Sequence, residues 1–429
     1  MKIKYSLLLL QIAFIYSCSN NFEDNCNTNI ESHKDNTSSV RSYIEALAIA
    51  QNSISIIENN KEVTRGNNIH RTIDDKNSIV ITNSSKGLTR LSNSSIDTLL
   101  YVFNFNDNQG IAVISASKGT EGLLAVTENG HFDEQHLTNK DGFNIFMTLA
   151  EKYVKEAPPK RILPQPFIQR KDSTYQSESY IGPYISVKWG QDDPYGRFFS
   201  NWCTGCAVTA MAQIMTYYEY PSSLDLTYSG ADISVQNLNW TDIKKHDGYK
   251  SEFLCEASEE THNAIGRLCK QLGTLSNTVE ISPEEGSYTN ALDVKIALSN
   301  LGYNTSDWEN YADVASSLFS NIYYNRTMIL SGRAEGESYG HSWILDGTYT
   351  YYYEHFSWTK MVEELDWVLD SHTVETHIYY HFNWGADGLN NGYFCGNVFN
   401  CSSVLMPDTN SNPLTENFNV NVKVLTVYH

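Results

Sequence analysis

The 429-residue chain is 41% hydrophobic and 12% aromatic, enough apolar material for sizeable cores and more length than one average domain needs. Its formal charge of −20 excludes nucleic acid and anionic lipid as main partners, since both demand clustered Lys and Arg.

Lys2 and Lys4 form a basic region ahead of an apolar run from Leu7 to Ile15, too short to span a bilayer and suited to a secretory signal. The run ends at Ile15-Tyr16-Ser17-Cys18, which resembles the bacterial lipobox, and a polar, Asn-rich stretch follows. The expectation is a lipoprotein signal peptide over 1–17, a lipidated Cys18 and a tether over 18–35; the alternative is an ordinary signal peptide with Cys18 incidental. The chain is thus expected in the bacterial cell envelope, held to a membrane only by its N-terminal lipid, with release to the medium on maturation. Export permits disulfides. Cys255 with Cys269, and Cys395 with Cys401, are near enough in sequence to be candidate pairs, although spacing does not fix connectivity.

Helical spacing of Val40, Ile44, Leu47 and Ala48 predicts a first helix. A polar stretch over 59–97 reads as loops and short strands. Leu99 to Phe105, turn residues Asn106 to Gly110, and Ile111 to Ala116 read as a hairpin, with a further strand at Leu123 to Val126. Phe143, Phe146, Ala150 and Val154 mark another amphipathic helix. Residues 36–156 therefore form a small α+β domain. Four prolines and several basic residues make 157–180 an irregular linker open to proteolysis. The rest, 181–429, is rich in Trp, Tyr and Gly and suits one large domain.

The chemistry gathers in three passages. Trp189-Gly-Gln-Asp-Asp-Pro-Tyr195 leads to Cys203-Thr-Gly-Cys206-Ala-Val-Thr-Ala-Met-Ala-Gln213. Val208, Met211, Ala212 and Met215 follow helical spacing from Cys206, and Pro221 stops the helix. Cys206 then sits at a helix N-terminus, where the dipole and free N–H groups favour a thiolate. Taken alone, Cys203-x-x-Cys206 suits catalysis first, then a redox pair, an inert pair and, last, half a zinc site. Next, Tyr339-Gly340-His341-Ser-Trp-Ile-Leu-Asp346 heads an apolar strand with a histidine able to act as the base of a thiol. His355, His372, His377 and His381 read as structural. Third, His381-Phe-Asn383-Trp384-Gly385 offers an amide carbonyl that could fix the tautomer of that base, with Trp384 covering the bond.

Together these blocks resemble the streptopain family of bacterial cysteine proteases across most of residues 180–400, and 36–156 resembles the family's inhibitory propeptide. The resemblance implies a papain-like α+β catalytic domain behind an inhibitory prodomain, made as a zymogen. It implies Cys206 as nucleophile, His341 as base, Asn383 as orienting residue with Trp384 beside it, and an apolar preference at the second substrate subsite. Gln191 is the candidate side-chain oxyanion donor, and Gln213 reads as packing. Expected partners are protein or peptide substrates and the chain's own prodomain; no metal or organic cofactor is required. The family usually has Asn-Trp-Gly-Trp where this chain has Ala386, so the expected shielding is either weaker or supplied by Trp343 or Trp384. Cys203 beside the nucleophile is also unusual, and is a candidate redox partner of Cys206. The rival readings are a thiol–disulfide oxidoreductase built on Cys203 and Cys206, and a surface lipoprotein that binds on an inactive protease fold.

Overall fold

The computed structural model describes residues 39–59, 71–74, 77–82, 98–133, 142–157, 169–248, 257–282, 285–332, 340–360, 368–400 and 422–429. The signal peptide, Cys18 and the tether lie outside these residues, as do Cys26, Cys255 and Cys401, and with them both candidate disulfides. Among the described residues no helix is long and apolar enough to cross a membrane. Residues from Ser39 onward pack as one compact unit.

The first helix, α1 (Tyr43–Asn59), opens with a reciprocal capping pair. The Glu45 amide donates to Ser42 Oγ, and the Ser42 amide donates to the Glu45 carboxylate at 2.6 Å. The helix forms where its spacing predicts, and Val40 and Leu47 pack partly buried against the core, but the fully buried line runs elsewhere. Ile44 is 76% exposed, while Ala46, Ala50, Ser53 and Ile57 point inward. Small alanines let the helix lie close on the sheet, which a row of larger residues would prevent.

Beneath it lie β1 (Ile79–Thr82), β2 (Thr98–Asn104), β3 (Ile111–Ser115) and β4 (Leu123–Thr127), with the expected β2–β3 hairpin, followed by α2 (Gly142–Lys155). All four predicted apolar positions of α2 are buried. Next comes β5 (Gln169–Ile181), a correction to the irregular linker expected over 157–180. The four prolines all precede Gln169, so nothing prevents the later residues from pairing along the next long strand of the sheet.

The remaining elements are α3 (Cys206–Tyr218), β6 (Ser223–Asp225), β7 (Val235–Asn237), α4 (Trp240–Ile243), α5 (Glu259–Leu275), β8 (Val279–Ser282), β9 (Gly286–Tyr288), α6 (Ala291–Asn300), β10 (Asn304–Thr305), β11 (Glu309–Asn310) and α7 (Tyr311–Tyr323). The chain ends with β12 (Thr327–Gly332), β13 (His341–Lys360), β14 (Val368–Asn383), β15 (Gly392–Cys395) and β16 (Lys423–Tyr428).

Among the described residues one twelve-stranded sheet runs β1-β2-β3-β4-β15-β14-β13-β12-β16-β10, with β5 added to β13 and β11 to β16. The upstream domain and the large domain therefore share a sheet, joined where β4 pairs antiparallel with β15 through Thr127–Gly392, Val126–Tyr393 and Ala125–Phe394. Alternation along the central strands feeds two cores. Met328, Leu330, Trp343 and Leu345 face a core shared with α1, α2 and α7. Ile329 and Ile344 face the other, built on α3, α5 and α6.

Candidate active site

Helix α3 begins at Cys206 because Gly205 turns the chain there with φ +81°; a Cβ at Gly205 would also come within 2.7 Å of the Ser287 carbonyl oxygen. The side-chain hydroxyl of Thr209, one turn into the helix, donates to the Gly190 carbonyl at 3.1 Å, which ties α3 to the Trp189–Gln191 segment. Cys206 is half-buried, and its sulfur accepts the Ser342 amide at 3.3 Å. Burial pushes the Cys206 thiol up, but the charge and hydrogen bond of His341, with the Ser342 and Ala207 amides, leave it below its ordinary value.

Cys203 moves the opposite way. Burial raises its thiol, and Asp192 and Cys206 add to the rise against the Gly205 and Ser287 amides. Both cysteines are free thiols. The Cys203 sulfur lies 3.8 Å from Gln191 Oε1, while its backbone is strapped by Asn201 Oδ1 (3.2 Å) and by the Ser287 hydroxyl (2.6 Å). In a redox pair at a helix start the cysteine with the lowered pKa is the first of the two. Here it is the second.

His341 opens β13 and is 8% exposed. Its Nε2 lies 2.8 Å from the Trp384 carbonyl oxygen. A carbonyl only accepts, so Nε2 carries the proton and Nδ1 is left to exchange one with the thiol. This corrects the expectation that the Asn383 side chain would touch the base. Asn383 Nδ2 donates to the Val187 carbonyl (3.1 Å) and to Gln213 Oε1 (2.9 Å), and its Oδ1 accepts the Gly385 amide (3.1 Å). The physical reason is the tight turn after β14: Gly385, at φ +67°, folds its own N–H back onto Asn383 and presents the preceding carbonyl to the imidazole.

Trp384 is buried beside His341, ring centroids 6.4 Å apart, with its indole N–H on the Asn390 carbonyl at 3.0 Å. Trp343 lies equally near His341 and 5.1 Å from Trp384. Two indoles thus shield the imidazole although position 386 is alanine.

The upstream domain reaches this site. A Cβ on Gly142, the first residue of α2, would lie 2.4 Å from both the His341 ring and the Trp384 ring. Beside it the Glu128 carboxylate accepts from Lys188 at 2.5 Å, and the Asn390 amide donates to Asn129 Oδ1 at 3.1 Å. Sequence reasoning missed the Trp384 carbonyl and the Ser342 amide, because backbone groups leave no mark in a residue pattern. It read Gln213 as packing, although a glutamine among the apolar residues of α3 is itself a signal of paired polar groups.

A thiol of lowered pKa at a helix start, an imidazole with a fixed tautomer and a domain packed against that imidazole define a cysteine peptidase of papain-like α+β fold, made as a zymogen. Residues 189–394 match the Peptidase C10 family and residues 38–179 match the Spi protease inhibitor family. The catalytic segment 189–394 is thus similar to the streptopain-like Peptidase C10 family. It is 24% identical to streptopain of Streptococcus pyogenes over 348 residues, covering 71% of this chain and 75% of that protein. Similarity to the thiol protease/hemagglutinin PrtT of Porphyromonas gingivalis is 25% over 343 residues, 72% of this chain and 35% of that protein. Among solved structures, a fragment of Prevotella intermedia prointerpain A matches at 18% identity and a TM-score of 0.49, covering 83% of this chain and 98% of that chain.

Proposed function

We propose that the chain is an exported, lipid-anchored zymogen of a cysteine endopeptidase in which Cys206 is the nucleophile and His341 the base. The observation that carries this reading is the Cys206 sulfur at the start of α3 accepting the amide of Ser342, the residue after His341 at the head of β13, with His341 lowering the thiol's pKa. The Cys206 thiolate attacks a peptide carbonyl, and the C–N bond breaks as His341 passes its proton to the leaving amine. The acyl-enzyme is then hydrolysed by a water that His341 deprotonates. The Cys206 amide and Gln191 Nε2, which donates to no described group, are assigned to the oxyanion. Asn383 orients His341 through the Trp384–Gly385 peptide, and Trp384 excludes water.

Residues 36–156 act as the inhibitory prodomain, blocking the base side through Gly142. Activation is a cut within 157–180. Because paired backbone is a poor protease substrate, we assign the cut to the part before Gln169. The lipobox-like Ile15–Cys18 supports anchoring at Cys18, so that one cut frees the cleft and severs the enzyme from the membrane. Cell fractionation with N-terminal sequencing tests all of this. The wild-type Cys206-containing fragment should move from membrane to medium as activity appears, while Cys206→Ala remains full-length and membrane-bound. Full activity in the uncleaved chain would refute the zymogen reading. Thiol-protease activity retained in Cys206→Ala would refute the nucleophile.

A further inference from the structure

The side chain of Gln213 has no exposed surface and lies seven residues after Cys206, two turns along the same face of α3. Its neighbours Met211, Ala212, Ile214 and Met215 are apolar core. In such surroundings an amide is destabilising unless every polar atom is paired, so a residue present only to fill space would be apolar. Gln213 is fully engaged. Its Oε1 accepts two hydrogen bonds, from the Trp189 amide and from Asn383 Nδ2, both at 2.9 Å. Its Nε2 faces Asn383 Oδ1 at 3.5 Å.

What Gln213 holds on each side is the point. Asn383 Oδ1 accepts the Gly385 amide at 3.1 Å, and the Trp384 carbonyl of that same peptide accepts His341 Nε2 at 2.8 Å. A peptide is planar and rigid, so fixing its N–H fixes the direction of its C=O. On the other side, the Trp189 amide lies two residues before Gln191, the donor assigned to the oxyanion. One side chain on the helix of the nucleophile therefore touches both the base-holding turn and the oxyanion segment.

We propose that Gln213 is a positioning residue for the reaction: it clamps Asn383, and through the Trp384–Gly385 peptide it fixes the tautomer and direction of His341 relative to Cys206. This rests on the assignment of Cys206 and His341 as the reacting pair. Gln213 touches no substrate, so its loss should leave binding alone and slow the chemistry. A displacement of about 1 Å in a reacting group lowers rates by about 100-fold.

The experiment uses full-length wild-type, Gln213→Met and Gln213→Glu chains, matured by adding a trace of active wild-type enzyme. Each is assayed for kcat and KM on a peptide substrate, and for the pH dependence of Cys206 alkylation by iodoacetamide. Methionine keeps the length and removes the hydrogen bonds. Gln213→Met should lose about 100-fold in kcat with KM within a few-fold of wild type. Its alkylation profile should shift toward that of an ordinary thiol, because a misdirected imidazole no longer stabilises the thiolate. A neutral glutamic acid keeps the acceptor oxygen and one donor, whereas its carboxylate repels Asn383 Oδ1. Gln213→Glu should therefore approach wild-type kcat at acidic pH and fall away from it as pH rises.

Wild-type kcat and an unshifted alkylation profile in Gln213→Met would overturn the proposal and return Gln213 to core packing. If Gln213→Met does not fold, as judged by thermal unfolding, Gln213→Glu decides alone. A ratio to wild type that falls with pH supports the role, and a pH-independent ratio refutes it. Peptide mapping of the alkylated protein separates this failure from that of the underlying assignment. Modification at a cysteine other than Cys206 would overturn the nucleophile instead.

Discussion

The two hydrophobic cores differ in ownership. The core of α3, α5 and α6 is built from the catalytic domain alone, and it carries the helix that presents Cys206. The core on the other face of the sheet is held jointly. Phe143 and Phe146 of α2 pack on Phe394, with ring centroids 6.3 and 5.0 Å apart, and Phe146 also meets Phe399. Trp343 and Trp384, the indoles that flank His341, belong to this shared core. The proposed nucleophile thus stands on a core that the prodomain does not share, while the proposed base stands beside one that the prodomain helps to build. In this arrangement a prodomain can hold the enzyme silent by acting on the base side alone, leaving the helix-borne thiol already formed and waiting.

The largest expected effect removes the comparison altogether. His341→Ala should reduce peptidase activity to background, about as fully as Cys206→Ala, because the two groups act as a unit and either loss alone is worth about 10⁶ in kcat in comparable enzymes. Substantial activity in His341→Ala, measured on a peptide substrate, would detach the base role from this residue.

Next come paired core truncations, read by urea unfolding of the inactive Cys206→Ala zymogen and of the mature form. Phe146→Ala should weaken the zymogen by about 3–5 kcal/mol and leave the mature enzyme, which lacks that residue, unchanged. Met211→Ala should weaken both forms by about 2–5 kcal/mol. A Phe146→Ala zymogen no less stable than its parent would leave the jointly held core without energetic meaning.

Gly142→Ala sharpens the contact itself. The added methyl would lie 2.4 Å from the rings of His341 and Trp384, and overpacking of this kind is destabilising by about 1–3 kcal/mol. The prodomain should be held less tightly and autocatalytic conversion should quicken by about ten-fold, followed by gel electrophoresis over time. A conversion rate equal to wild type would show that α2 does not restrain the base.

The smallest effect concerns a second buried histidine on the shared side. His381 Nδ1 lies 2.6 Å from Asp346, which has no exposed surface, and its Nε2 faces the prodomain's Glu128 at 3.8 Å. Burial pushes the His381 pKa down, but Asp346 and then Glu128 outweigh that against the opposing charge of Lys188, and the value ends above the ordinary 6.5. A histidine raised in the fold stabilises it fully below its unfolded value near 6.5, and that contribution fades as pH climbs through the raised folded value. His381→Gln should therefore flatten the decline of zymogen stability on the alkaline side while costing most at acidic pH. Thermal unfolding across pH 5 to 9 measures it, and parallel curves for the two proteins would remove the linkage.

Sequence alone offered Cys206 and His341, the two groups that the proposed mechanism uses. Cys206 was legible because a cysteine at the start of a 3.6-residue apolar period, just after a glycine, can be read without knowing any neighbour. His341 was legible because it heads an apolar strand, and the hairpin and α2 because their periods of 2 and 3.6 are local properties. The fully buried line of α1 was not, since the exposed Ile44 and Ala48 are as periodic as the residues that are buried, and only close approach to the sheet chose among them. The strand over Gln169–Ile181 was not, because its pairing with β13 is contributed by residues far along the chain.

The finest details of the site belong wholly to the tertiary structure. Asn383 was visible as an amide beside a tryptophan, yet whether its oxygen met the imidazole or the Gly385 N–H depended on the turn after β14. The acceptor that His341 found is a backbone carbonyl, a group that every residue carries and no sequence pattern distinguishes. The union of prodomain and protease was decided in the same way, by strand edges: β4 and β15 are each unremarkable alone, and their backbone hydrogen bonds exist only once the fold has laid one against the other.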